Sequence, residues 1–223
     1  MPDACVDLIV TSPPYNLRNS TGSGMINSTE WSPLNEHGYA DHDDKMQYDD
    51  YVEWQVSVLT ECMRLIPDDG AIFYNHKWRV QGGLIQDRYD IVKHFPVRQI
   101  IIWQRAGGFN FNDHYFVPTY EVIYMIAKPK FRLLPKANAL GDVWRIPQDF
   151  DNDHPAPFPI EVPSRIIQSV SAKTVLDPFV GSGTTAVAAR MHGRDYIGIE
   201  LSQEYVDMAN ARLAATGTAV GLF

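Results

Sequence analysis

The chain has 223 residues, 45% of them hydrophobic, which is enough to bury one full core in a single α/β domain spanning 1–223. No apolar run reaches the roughly 18 residues of a membrane span and no basic-then-apolar leader opens the chain, so a cytoplasmic protein is expected. A net charge of −8 argues against a simple electrostatic nucleic-acid binder, and two cysteines without zinc spacing predict neither a disulfide framework nor a metal.

Residues 6–10 read as a buried strand running into Thr11-Ser12-Pro13-Pro14-Tyr15-Asn16. Two consecutive prolines bar both further ladder pairing and a helix, so the backbone is held in an extended turn. Such a turn presents the Ser12 hydroxyl, the Pro13 carbonyl and the Tyr15 ring from the carboxyl end of a strand, where ligands sit in open α/β sheets. Taken alone, the hexapeptide reads equally well as a turn with a packed tyrosine. Residues 17–50 form a long loop rich in Gly, Asn, Ser and Asp, either a flap over a substrate or plain disorder, with Arg18 and Trp31 its notable residues.

Residues 50–66 predict an amphipathic helix whose buried face is Val52, Val56, Leu59, Met63 and Ile66, ended by Pro67 and Gly70. A strand over 71–74 leads into Asn75-His76-Lys77-Trp78-Arg79, a cluster that reads as a phosphate or base contact or as a solvated loop. A helix over about 80–93 and a fully buried strand over 99–103 follow. Between 105 and 118 a loop holds Gly107, Gly108, Phe109, Asn110, Phe111 and Asn112, suited to stacking on bases or to covering the core. An apolar strand over 120–127 is expected to pair antiparallel near the sheet edge. Lys128, Lys130, Arg132 and Lys136 make the strongest local basic stretch and, with Arg145, predict a phosphate-contacting surface; a solvated face is the plainer reading.

The remaining segment carries a second distinctive pattern. A strand over 174–178 ends in Asp177, a loop holds Pro178, Phe179, Gly181 and Gly183, and an Ala/Val-rich helix starts at Thr184. Strand, glycine turn and helix together make a nucleotide-type site, with free N–H groups at the helix start. No Lys precedes the threonine pair, so this is no Walker loop, and no third glycine stands at the dinucleotide spacing. Asp177 would repel a pyrophosphate but suits a cationic amine. Glu200 closes the next strand about twenty residues on, where an acid accepts hydrogen bonds from ribose hydroxyls. Together these features describe S-adenosylmethionine; an ordinary turn with no ligand is the bland alternative.

The pairing of Thr11–Asn16 with Asp177–Thr185 resembles the two signatures of S-adenosylmethionine-dependent DNA methyltransferases that modify exocyclic amino groups. The catalytic motif precedes the cofactor motif, as in the circularly permuted β-type order of that family. The resemblance spans nearly the whole chain. It implies a Rossmann-like α/β fold with a mostly parallel sheet flanked by helices, double-stranded DNA as partner, a bacterial or phage source paired with restriction, and a homodimer. Ser12, Pro13, Pro14 and Tyr15 are then catalytic. Asp177, Pro178, Phe179, Gly181, Gly183, Thr184 and Glu200 bind the cofactor, with Pro159 of the 154–159 proline segment beside its methionine end. Lys77, Arg79, Lys128, Lys130, Arg132 and Lys136 contact DNA, and 128–155 is a short recognition insert. A cofactor-binding segment that usually precedes the catalytic strand is missing or truncated.

The chemistry expected of this arrangement follows from the target. An exocyclic amine is a poor nucleophile because its lone pair is delocalised into the ring. Acceptors at Ser12 Oγ and the Pro13 carbonyl would localise that pair, and Tyr15 would stack on a flipped base. In the family this chain resembles, members acting on adenine more often have an acid or amide where Ser12 stands and those acting on N4 of cytosine often have serine, so the resemblance implies N4 of cytosine over N6 of adenine. Methylation at carbon 5 would need a reactive cysteine in the catalytic loop, and neither Cys5 nor Cys62 is there. Two readings from other classes remain: a non-catalytic nucleic-acid-binding subunit, against which the intact Ser12, Tyr15 and Asp177 speak, and a nucleotide-cofactor oxidoreductase, where the proline turn has no task.

Overall fold

The computed structural model describes residues 1–16, 46–81, 83–105, 113–147 and 159–217. The two strands that end in the distinctive turns are neighbours. β1 (Leu8–Thr11) and β8 (Thr174–Asp177) pair in parallel, Leu8 opposite Val175 and Ile9 opposite Leu176. From β1 the chain passes through α1 (Tyr48–Leu65) to β2 (Ala71–His76), which pairs with β1 on its other side. From β8 it passes through α4 (Thr184–Met191) to β9 (Asp195–Gly198), which extends the sheet the opposite way. Where successive connections diverge like this, a crevice opens at the carboxyl ends of the strands.

Beyond β2 lie β6 (Tyr120–Ala127), β5 (Val97–Gln104) and β7 (Val143–Arg145), completing a seven-stranded sheet in the order β7-β5-β6-β2-β1-β8-β9. The expected mostly parallel, Rossmann-like sheet is present, and β6 is its one antiparallel member among the described strands. β6 is not an edge strand, however, because β5 and β7 continue the sheet past it. Its seven residues after Tyr120 are all buried, a pattern that needs a neighbour on both sides. β5 is in turn less buried than expected: Arg98, Gln99 and Ile100 are exposed because β7 pairs only with Ile102, Trp103 and Gln104.

Strand residues alternate between faces, so each short apolar strand feeds two core layers. Leu8, Val10 and Phe73 pack with Val162 and Ile166 of α3 (Glu161–Gln168) and with Ala188 and Ala189 of α4. Ile9, Ile72 and Val122 pack on the other face with Leu59, Cys62 and Leu65 of α1. The buried face of α1 is Tyr51, Gln55, Leu59, Cys62 and Leu65, about one position round from the expected Val52, Val56 and Met63. Tyr51 and Gln55 go inside because their polar ends find partners there: Tyr51 donates to the Pro14 carbonyl at 2.7 Å and Gln55 Oε1 accepts from the Tyr74 hydroxyl at 2.8 Å.

The helix expected over 80–93 is replaced by a hairpin, β3 (Arg79–Gln81) with β4 (Leu84–Gln86), and a short α2 (Tyr89–Val92). Two adjacent glycines cost a helix about 1 kcal/mol each, whereas glycine suits a hairpin turn, and Gly83 takes φ +78°. No described helix is long and apolar enough to cross a membrane. A last helix, α5 (Gln203–Ala215), packs on α4 through Leu213, Ala186 and Val187.

Candidate active site

Because β1 and β8 are adjacent, the proline turn and the glycine loop emerge side by side. Thr11, the last residue of β1, donates its hydroxyl to Asp177 Oδ1 across 2.7 Å. Residues far apart in sequence, Ser12 and Asp177, thus flank a single sheet edge, as required for a shared site. The Phe179 N–H also donates to Asp177 Oδ1, at 3.0 Å. Burial pushes the Asp177 carboxyl up to about 6, against the pull of its Thr11, Thr185 and Phe179 hydrogen bonds; the nearby Glu200 charge adds to the rise. An acid this buried is costly unless something cationic arrives beside it.

Glu200 lies two residues past the end of β9 rather than closing the strand. Its Oε2 accepts the Gly181 N–H at 2.9 Å, while Oε1 accepts the N–H groups of Leu201 and Ser202 at 2.9 and 3.0 Å. The side chain therefore ties the glycine loop to the start of α5. Gly183 also has a role that sequence did not suggest. At φ +88°, a Cβ on Gly183 would lie 2.8 Å from the Ala209 Cβ, so this glycine serves helix packing. Gly183→Ala is expected to lower stability by about 2–4 kcal/mol, measured by denaturant unfolding, through left-handed strain plus overpacking. Arg212 of α5 reinforces the loop by donating to the Ser182 carbonyl and to Thr184 Oγ1. Phe179 is half-buried with its ring edge-on to Trp54 at 5.6 Å, Pro178 is half-buried beside it, and Pro159 is buried, accepting from the Val162 N–H.

The proline turn is held from several elements at once. The Pro14 carbonyl takes the Tyr51 hydroxyl of α1, while the Tyr15 carbonyl takes the fully buried Arg88 at 3.3 Å. Asn16, at φ +57°, is fixed through its carbonyl by Arg79 and through its amide by Met46. The Tyr15 ring stacks on His76 with centroids 4.8 Å apart. Burial, with the Arg88 charge adding to it, holds His76 well below the usual imidazole range, so it is neutral. The Tyr15 hydroxyl meets Ser12 Oγ at 2.6 Å, Asn75 Nδ2 at 2.6 Å and Glu121 Oε2 at 3.0 Å. Arg105 lies 3.3 Å from the other oxygen of Glu121. Pro13 is buried and Ser12 half-buried.

Sequence reasoning singled out Asn75 only as part of a cluster and missed Tyr51, Arg88 and Glu121. A signal existed for the last: one acid inside an otherwise apolar strand, expensive to bury without partners. Arg18, Trp31 and the remainder of 17–45, the 106–112 aromatics and 154–158 lie outside the described residues.

The expected DNA cations separate into two groups. Lys77, Arg79 and Arg145 stand at the edge that carries the turn. Burial, and next the Arg105 charge, lowers the Lys77 ammonium, while Arg79 is occupied with Asn16 and Gln86. Lys128, Lys130, Arg132 and Lys136 do not share this edge, and the expectation of one phosphate-contacting surface is corrected. β6 runs against β2, pairing Ala127 with Ala71 at the start of β2 and Val122 with His76 at its end. The basic stretch after β6 therefore begins at the far side of the sheet, roughly 17 Å from the turn at about 3.3 Å per residue. There the Lys128 ammonium donates to the Ile66 carbonyl, Lys130 pairs with Asp68 at 3.0 Å, and Arg132 donates to the Pro129 and Phe131 carbonyls. Lys136 is exposed at the same side, in a groove shared with Arg98 and Arg132. Among the described residues no cluster could hold a metal ion. Cys62 is buried, which pushes its thiol up to about 12 and removes it as a nucleophile.

The model of the DNA methylase family matches residues 6–211, nearly the whole described chain. The chain belongs to this family. Among curated relatives it is similar to the methylases named Type II methyltransferase M.BglII of Bacillus subtilis, 26% identical over 94% of this chain and 64% of that protein, and M2.MboI of Moraxella bovis, 29% identical over 94% of this chain and 81% of that protein. Among solved structures, the Thermus thermophilus protein TTHA0409 complexed with S-adenosyl-L-methionine is 27% identical with a TM-score of 0.70, covering 100% of this chain and 90% of that one. The PvuII DNA methyltransferase, described as cytosine-N4-specific, shares the fold at 17% identity and a TM-score of 0.74, over 95% of this chain and 80% of that one.

Proposed function

We propose that this chain is a DNA methyltransferase that moves a methyl group from S-adenosylmethionine to the exocyclic amine of a base flipped from the duplex, with N4 of cytosine as target. The observation that carries the reading is the 2.7 Å bond from Thr11 to Asp177, which joins the two loops at one crevice. The residues present fit the donor. Asp177 is a buried carboxylate short of positive charge, Glu200 adds a second acid just past the neighbouring strand end, and Phe179 of the same loop offers a half-buried ring. The same acids would repel a pyrophosphate cofactor. When bound, the donor supplies an electrophilic methyl on a sulfonium.

The chain's own task is to make an amine nucleophilic. Ser12 Oγ and the Pro13 carbonyl accept the amino hydrogens, drawing the nitrogen toward a tetrahedral geometry with its lone pair aimed at the methyl. Holding both partners at one edge supplies the orientation that converts an encounter into an in-line transfer. As the carbon–nitrogen bond forms and the carbon–sulfur bond breaks, the surplus proton leaves to solvent. A stacked base cannot reach a turn braced this deeply, which supports flipping. The serine, rather than an acid or amide, at position 12 supports cytosine.

The test is to incubate mixed-sequence DNA with the protein and S-adenosylmethionine, digest it, and identify nucleosides by mass spectrometry. N4-methyldeoxycytidine is expected. N6-methyldeoxyadenosine would move the target but keep the class, and no methylated nucleoside would reject the reading. DNA affinity provides a second check. By fluorescence anisotropy at low salt, Arg145→Glu at the catalytic edge is expected to weaken binding about tenfold, whereas Lys130→Glu with Lys136→Glu changes it by less than about threefold.

A further inference from the structure

We propose that Glu121 is a positioning residue that sets the direction of the hydrogen bonds around the proline turn, so that Ser12 meets an incoming amino group as an acceptor. This rests on the amino-methyltransferase reading and adds to it a residue outside both motifs.

Glu121 is 6% exposed, on the one strand of the large sheet that runs against its neighbours. Its Oε2 lies 3.0 Å from Tyr15 Oη and 2.9 Å from Asn75 Nδ2, and its Oε1 lies 3.3 Å from Arg105 Nη1. An ionised carboxylate can only accept, and Arg105 supplies the matching charge. The single hydroxyl hydrogen of Tyr15 is therefore committed to Glu121. Tyr15 and Ser12 are only 2.6 Å apart, so a hydrogen must lie between them, and it can come only from Ser12. Asn75 is fixed in the same sense: the atom 2.9 Å from the carboxylate has to be its NH2, which also points at Tyr15 Oη, while its Oδ1 is left buried without a partner.

With its only hydrogen turned inward and one lone pair facing Asn75 Nδ2 at 3.3 Å, Ser12 has its other lone pair for the crevice. An exocyclic amine arrives with N–H donors, so this polarity is the one that methylation requires. A serine free to rotate would spend part of its time meeting donor with donor. The antiparallel sense of β6 is what makes the arrangement possible, since it places the second residue of that strand at the carboxyl edge of its neighbours.

Glu121→Gln keeps the shape and reverses one end. Arg105 retains the amide oxygen, so the amide nitrogen takes the Oε2 position, where it faces the Asn75 NH2 and forces that amide to turn; the Tyr15 hydrogen loses its carboxylate acceptor, and with it goes the fixed direction that turns the Ser12 hydrogen inward. The expected result, with mixed-sequence DNA and radiolabelled S-adenosylmethionine, is a fall in kcat of at least about tenfold. Cofactor binding by calorimetry should stay within about twofold and KM for DNA within about threefold, a split that simple loss of the ion pair would not produce. Unchanged kcat in Glu121→Gln overturns the proposal. If that variant loses cofactor binding through damage to the fold, Tyr15→Phe decides: it keeps the ring and removes only the relay. A comparable fall in kcat there, with no further loss when both changes are combined, upholds the relay, and full kcat in Tyr15→Phe overturns it. A wild-type chain that methylates no DNA would instead reject the underlying reading, and this proposal with it.

Discussion

Asp177→Asn is expected to abolish measurable S-adenosylmethionine binding and, at the same time, to make the free protein more stable. Asp177 is 5% exposed and burial pushes its carboxyl up to about 6, above the roughly 3.9 of an unfolded chain. Between those values the native state holds a proton that the unfolded state has released. Stability therefore falls as pH rises from about 4 to about 6, by up to about 3 kcal/mol at neutral pH. Asparagine cannot ionise, and its oxygen can still accept from Thr11 and Phe179. The variant should melt higher at pH 7 and lose that slope, as thermal scans across pH would reveal. Binding should respond in the opposite sense, because in the proposed function the same acid is the partner of a cationic ligand. Wild-type affinity is expected to weaken about tenfold for each pH unit below about 6, as the carboxylate takes up its proton. An Asp177→Asn protein that binds the cofactor as well as wild type would remove Asp177 from the site.

Ser12→Ala should act on the other substrate alone. One acceptor placed where charge develops contributes about a hundredfold to a thousandfold in rate. Ser12 is half-buried and its hydroxyl meets Tyr15 and Asn75 among the described residues, so its loss should leave folding and cofactor affinity near wild type. kcat for methyl transfer should fall by about a hundredfold or more while KM for DNA changes little. Undiminished turnover would mean that the amine is activated by the Pro13 carbonyl or by a group elsewhere.

What could be read from sequence was what is local. Two prolines after a short apolar run, or Gly181 and Gly183 after Asp177, dictate their own backbone, and both turns lie at the strand ends where that reading puts them. The adjacency of β1 and β8 followed from the pairing of the two motifs. The antiparallel sense of 120–127 was legible too, but its place inside the sheet was not: β5 and β7 continue past β6, and its reversed course puts Lys128 and Lys130 at the far side and brings Glu121 within reach of Tyr15, 106 positions away. The phase of α1 was misjudged because counting apolar residues ignores tyrosine and glutamine whose polar ends find buried partners. The 80–93 segment departs from a helix because Gly82 and Gly83 weaken one and suit a turn.

The reversal of β6 also determines where this protein can grow. The connection from Gln104 to Tyr120 and the chain leaving Arg145 both open beside the turn, whereas the connection leaving Ala127 opens beneath the sheet. Residues inserted at the first two places would add to the side that carries the turn, and those inserted at the third to the opposite side.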